Sequence, residues 1–224
     1  MKLVVTEKND AAQKIADLLG VKKPKADKVY STPVYRFDVD GEEWVTIGLR
    51  GHILEPDFTP TMVYKKRGGW QGVTEEGETF PATLPATLPK PPFKKKKPFT
   101  EDGVELKTWK MDALPYLVYA PIKKLPKEKE IIRSLKNLAK KADSVIIATD
   151  FDREGELIGS DALSCIQEVN PDAPVQRARY SAFTKEEITH AFDNLVELDV
   201  NLASAGASRQ DIDLIWGAVL TRYL

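Results

Sequence analysis

The residues best suited to chemistry stand together in Ser144-Val145-Ile146-Ile147-Ala148-Thr149-Asp150-Phe151-Asp152-Arg153-Glu154-Gly155-Glu156. Four carboxylates, Asp150, Asp152, Glu154 and Glu156, fall within seven consecutive positions. Like charges this close cannot all ionise unless a cation or basic groups offset them. Hard oxygen donors with no His or Cys beside them suit Mg²⁺ or Mn²⁺ better than zinc. Acids also decorate helix N-termini because the dipole favours them. That accounts for Glu154 and Glu156, but not for an Asp-x-Asp placed before the helix starts. A divalent-metal site is the expectation.

The flanking pattern says what holds these acids. Val145 to Ala148 is an apolar run of strand length, suited to a strand buried on both faces of a parallel sheet. Asp150 and Asp152 sit two apart, so in extended chain their side chains leave on one face. From Glu154 onward Leu157, Ile158, Ala162, Leu163 and Ile166 recur at helical spacing. The acids therefore belong at the carboxyl end of a strand, the edge where open α/β sheets bind ligands. Lys2 to Thr6 reads as a first strand, followed by a helix capped by Asn9 or Asp10 and running through Leu19 to Gly20. Glu7-Lys8 occupies the turn between them. If the two strands run parallel, Glu7 reaches the same edge as Asp150.

Further elements follow from local signals. Val34–Val39 and Glu43–Leu49 flank Asp40-Gly41, a hairpin signature. Lys129 to Lys141 has one apolar helical face, and Val175 to Tyr180 reads as a strand carrying Arg177 and Arg179. Thr184-x-x-Glu187 is a capping box opening a helix through Leu195. A last helix runs from Asn201 to the end of the chain without a stop signal, which reads as a truncated one. Residues 60–104 hold many prolines and lysines, including Lys90 and Lys94 to Lys97. Proline forbids a long helix or central strand there, so an extended or mobile insertion is expected.

At 224 residues, 42% hydrophobic and 30% charged, the chain has the composition of a globular protein. Its longest apolar runs are too short to span a membrane and no basic-then-apolar leader opens it, so an intracellular protein is expected. The single Cys165 falls among apolar helix positions and reads as core. The net charge of -1 hides segregation, since residues 61–141 carry 18 Lys+Arg against 9 Asp+Glu while residues 142–224 carry 6 against 15. A basic surface beside an acidic metal pocket suits a polyanion handled with metal assistance, although a solvated Lys-rich loop has the same composition.

Asp-x-Asp-Arg-Glu-Gly-Glu after an apolar strand resembles the second acidic motif of the Toprim domain, in the form used by type IA DNA topoisomerases. Glu7-Lys8 after the first strand resembles that family's first motif. Gly51-His52-Ile53 resembles a segment whose His contacts the DNA backbone. Trp109 followed by Leu114-Pro115, and Arg177-Ala-Arg179-Tyr-Ser followed by Thr184-x-x-Glu-Ile, continue the likeness. The last helix resembles Ala-Arg-Arg-x-x-Asp-x-x-x-Gly, with Arg209, Asp213 and Gly217 in place and Ser208 and Gln210 departing from it. The likeness covers residues 1–55 and 105–222.

It implies an α/β fold: a mostly parallel Toprim sheet with helices on both faces over residues 1–182, an insertion at about 60–104, and the start of a helical domain over 183–224. It also implies an amino-terminal piece of a Mg²⁺-dependent enzyme (Mn²⁺ being possible) that relaxes negatively supercoiled DNA without ATP, through a transient covalent tyrosine link. Glu7, Asp150, Asp152 and Glu154 would hold the metal. Glu7, Lys8 and Arg177 would act in catalysis, while His52, Arg179 and Arg209 would position single-stranded or supercoiled DNA. No tyrosine in the chain has the nucleophile's context. A cytoplasmic, nucleoid-associated monomer with no membrane contact is implied. The rival readings are a Toprim primase or nuclease, a metal-binding nucleic-acid module, and a phosphatase of the haloacid dehalogenase kind. Arg153-Glu154-Gly155-Glu156, where that phosphatase has Thr or Val after the Asp pair, argues against the last.

Overall fold

A computed structural model describes residues 1–224. The amino-terminal segment forms β1 (Lys2–Thr6), α1 (Asn9–Leu19), β2 (Lys25–Val29), β3 (Thr32–Val39) and β4 (Glu42–Gly48). The middle forms β5 (Leu54–Phe58), β6 (Thr61–Lys65), β7 (Gly69–Val73), β8 (Thr79–Ala82), β9 (Gly103–Glu105), α2 (Leu114–Leu117) and β10 (Ile122–Pro126). Then come α3 (Lys129–Ala139), β11 (Ser144–Ile147), α4 (Arg153–Gln167), β12 (Val175–Arg177), α5 (Lys185–Asp193) and α6 (Val200–Tyr223). Met1–Leu54 with Pro126–Ser208 makes one compact unit, and Glu55–Leu125 with Arg209–Leu224 makes another. No helix is long and apolar enough to cross a membrane.

In the first unit six strands pair in the order β12-β11-β1-β4-β3-β2. β12, β11, β1 and β4 run parallel, and β3 and β2 add an antiparallel extension. Strand periodicity sends alternate residues to opposite faces. Leu3, Val5, Val145 and Ile147 pack with Leu135 of α3 and Ile158 and Ala162 of α4. Val4, Ile146 and Ala148 pack with Ile15 of α1 and Ile188 of α5. This is the expected mostly parallel sheet with helices on both faces. The β3–β4 hairpin turns on Asp40 and Gly41 at φ of 53° and 86°, as its turn type requires.

Three local details depart from the sequence reading. β2 went unforeseen because its exposed Lys-Ala-Asp-Lys-Val has no apolar alternation. Helix α1 is capped at Lys8, whose side chain has no acceptor to offer, and the Asn9 side chain meets the Tyr35 hydroxyl, which donates to its Oδ1 at 3.2 Å. The Thr184 hydroxyl does accept from the Glu187 N–H, but the Glu187 carboxylate turns to the N–H and hydroxyl of Ser181.

The second unit corrects the reading of residues 60–104 as an extended or mobile loop. β8, β7, β6 and β9 form a four-stranded sheet, antiparallel throughout. Its core gathers Met62, Trp70, Val104, Leu106, Tyr116 and Leu117. The proline-rich stretch lies over this core and lends it Leu84, Leu88, Phe93 and Phe99. Trp70 meets Tyr116 at 5.4 Å between ring centroids and Phe93 meets Phe99 at 4.8 Å. The Tyr116 hydroxyl donates to the Pro89 carbonyl. Proline bars a central strand but not docking of its neighbours, and Pro81 itself stands in β8, an edge strand where it is tolerated.

Inside the first unit one polar pair ties the sheet edge together. Arg177 ends β12 and Glu156 lies in α4; both side chains are 0% exposed, and the Arg177 Nε donates to the Glu156 carboxylate at 2.9 Å. The remaining guanidinium N–H groups donate to the carbonyls of Ala178, Asp150 and Ile147. Removing one partner strands a buried charge. Arg177→Met or Glu156→Gln alone should cost about 3–5 kcal/mol, and Arg177→Met/Glu156→Met together should cost less than either. Urea unfolding measures this; an additive double variant would mean the two charges are not paired. Gly155 sits where any Cβ would collide with the Asp150 carbonyl, whereas Gly217 has open space around it. Gly155→Ala should destabilise by at least about 1–3 kcal/mol. Gly217→Ala should stabilise by about 0.5–1 kcal/mol. Thermal midpoints moving in the same direction for both would contradict the packing at Gly155.

Candidate active site

Because β1, β4, β11 and β12 are parallel, their carboxyl ends share one edge, and the predicted acids gather there. Beyond β11 the chain is held residue by residue. The Ala148 N–H donates to the Val5 carbonyl at 2.7 Å, and the Tyr180 hydroxyl donates to the Ala148 carbonyl at 2.7 Å. Arg177 holds the Asp150 carbonyl, and the Thr149 hydroxyl donates to the Gly155 carbonyl at 2.7 Å. Beyond β1, the Thr6 hydroxyl lies 2.9 Å from the Lys8 carbonyl and the Gly51 N–H donates to the Glu7 carbonyl at 2.9 Å. Arg50 and Gly51, at φ of 63° and 83°, turn the chain after β4 toward His52.

The acids are sorted among different partners. The Lys8 ammonium stands 2.9 Å from a Glu7 carboxylate oxygen and 3.8 Å from one of Asp150. The hydrogen bond and charge of Glu7, with the charge of Asp150, push the Lys8 pKa up although its side chain is 65% exposed. A raised lysine pKa stabilises the fold fully below the ordinary lysine value and fades only as pH climbs through the folded one, so at neutral pH the ammonium stays charged. Glu154 meets His52 Nε2 at 3.0 Å. The Asp152 carboxylate accepts from the Gly155 N–H at 2.7 Å and so caps α4. Glu156 is buried on Arg177.

The predicted ligands Glu7, Asp150, Asp152 and Glu154 thus share an edge without forming one coordination group. No three His, Cys, Asp or Glu side chains are arranged to hold a metal ion. The donor set still suits a hard divalent cation, being carboxylate oxygen, and the Lys8 ammonium already stands as a cation between Glu7 and Asp150. Arg177 requires a correction. It was expected to act in catalysis, but it is wholly buried with its N–H groups spent on Glu156 and three carbonyls, so it positions the Asp150 loop.

Arg179 is half-buried, its guanidinium 4.9 Å from the Phe151 ring centroid and its Nε without a hydrogen-bond partner. Arg209, in the part of α6 that belongs to the second unit, stands 3.8 Å from Asp213. Sequence reasoning missed two residues at the edge. Phe151, between the two aspartates, is 53% exposed. Tyr180 is buried, its pKa raised by burial and by the Asp150 charge, and it braces the loop. An aromatic interrupting Asp-x-Asp was the available signal for the first; nothing in the spacing marked the second.

Comparison with known proteins agrees with this geometry. DNA topoisomerase 1 of Archaeoglobus fulgidus is 38% identical over 99% of this chain and 26% of its own length. DNA topoisomerase 1 of Thermoplasma acidophilum is 32% identical over 99% of the chain and 23% of its own length. Human DNA topoisomerase 3-alpha is 30% identical over 99% of the chain and 18% of its own length. The chain therefore spans about a quarter or less of the relatives it matches. The family model of the Toprim domain matches residues 2–183, most of the chain. With the acid-bearing edge and the parallel sheet that carries it, this match makes the chain a member of the Toprim domain family.

Proposed function

We propose that this chain is the Toprim part of a type IA DNA topoisomerase, a monomer that relaxes negatively supercoiled DNA in the cytoplasm by cutting and rejoining one strand. The observation that carries the proposal is the trio of Glu7, Lys8 and Asp150 at one sheet edge, two carboxylates about one ammonium. In the reaction a tyrosine oxygen, supplied outside these residues, bonds to phosphorus while the 3′ oxygen leaves with a proton, and the reverse step rejoins the strand. The phosphotyrosine link conserves the broken bond, so no ATP is consumed. Lys8, charged and exposed, stabilises the growing phosphate charge. Glu7, mostly enclosed beside it, carries the proton to and from the 3′ oxygen. His52, held by Glu154, together with Arg179, orients the backbone of a single-stranded segment, and Arg209, in the second unit, is a separate DNA contact.

Glu7 and Asp150 are the proposed primary ligands of Mg²⁺ or Mn²⁺, with Asp152 and Glu154 beside them. When bound, the metal supplies positive charge to the phosphodiester. Calorimetric titration with Mn²⁺ should show binding that Glu7→Gln/Asp150→Asn abolishes. Lys8→Met should tighten it several-fold by removing the competing ammonium. Unchanged affinity in the acid double variant would remove the metal from this edge. In the full-length protein, Glu7→Gln and Lys8→Met should each slow ATP-free plasmid relaxation by about 10²-fold or more. Wild-type rates in both would sink the assignment of chemistry to this trio.

A further inference from the structure

Away from the acids, α3 turns Ile131, Leu135 and Leu138 to the core, while Lys129, Arg133, Lys136 and Lys140 line a cleft of about 410 Å³ on its outer side. The spacing of four, three and four residues keeps the four cations on one side of the helix. Lys136 also meets Glu168 at 2.6 Å, but no carboxylate lines the cleft. Such a row by itself is what a solvated helix face looks like. The opposite wall is not. Tyr30, in the two-residue β2–β3 hairpin turn at φ 52°, as such a turn requires, stands on that wall. Its ring is 48% exposed, and the Arg133 guanidinium lies 4.0 Å over it. The buried Ser134 hydroxyl locks the turn in place, 2.8 Å from the Val29 carbonyl and 2.9 Å from the Thr32 hydroxyl.

We propose that this cleft binds a single-stranded nucleic-acid segment, with phosphates on the Lys129–Lys140 row and a base stacked on Tyr30. The row is about 16 Å long at the helical rise, too long for one phosphate group, so a chain of phosphates is what meets all four cations. An open aromatic ring backed by a guanidinium is a stacking platform for an unpaired base, which a duplex does not offer. The backbone just before the row is tied to the segment that carries His52. The N–H groups of Lys127 and Glu128, just before α3, donate to the Ile53 carbonyl, next to His52. The inference rests on the proposed function for its nucleic acid, and it adds a second binding surface distinct from the acids.

Fluorescence anisotropy with labelled oligo-dT over a range of salt concentrations tests it. Lys129→Gln/Arg133→Gln/Lys140→Gln should lower the slope of log K against log salt by about 2, since each neutralised phosphate on a single strand contributes about 0.7. Tyr30→Ala should weaken binding about tenfold with the slope unchanged, while Tyr30→Phe should bind as wild type. Matching circular dichroism melts confirm that each variant is folded. An unchanged slope in the triple variant, or wild-type affinity in Tyr30→Ala, overturns the proposal. So does competition by dTMP as effective as that of oligo-dT, which would make the cleft a mononucleotide pocket. Glu7→Gln/Asp150→Asn separates the two readings. It should abolish metal binding yet keep the triple variant's slope difference, so loss of either result condemns one reading without the other.

Discussion

The buried ion pair of Arg177 and Glu156 is the constraint on which the rest of this edge depends. Neither charge reaches water, so each must be met inside, and the guanidinium does more than meet its carboxylate. It fans out to carbonyls at the end of β11, at Asp150 and beyond β12. One side chain thereby fixes a strand end, the acid-bearing turn and the adjacent helix in a single arrangement. Buried pairs of this sort are weak contributors to net stability but impose a defined geometry. Here the defined object is the position of Asp150.

This explains where the sequence could be read and where it could not. The stretch from Ser144 to Glu156 announced a strand, a turn and a helix, because apolar run, acid pair and helical spacing follow one another without ambiguity. Glu7 and Asp150 were placed together by a topological argument alone, and parallel pairing of β1 with β11 puts them at one edge. Arg177 was misread because residue type says cation and nothing in the spacing says that α4 would cover it. The acids were read as one cluster because sequence shows proximity along the chain, whereas partners such as His52 and Lys8 come from other strands.

The middle region shows a different limit. Proline and lysine are the two commonest residue types there, and composition of that kind usually marks a chain with no core. The core exists nonetheless, assembled from isolated aromatics: Trp70, Phe93, Phe99 and Tyr116 lie far apart in sequence and meet in space. No periodic signal accompanies such a core, since Trp70 comes from β7, Phe93 and Phe99 from the proline-rich stretch and Tyr116 from α2. Aromatic side chains bury enough surface that a few suffice.

Lys8 has a consequence for the charge balance of this edge. Carboxylates gathered at one edge repel one another unless a positive charge stands among them. Here the first strand delivers its own resident positive charge to the centre of the repulsion, one residue after Glu7. The repulsion between Glu7 and Asp150 is therefore offset by a charge of the chain's own, carried on the same strand end as one of the two acids.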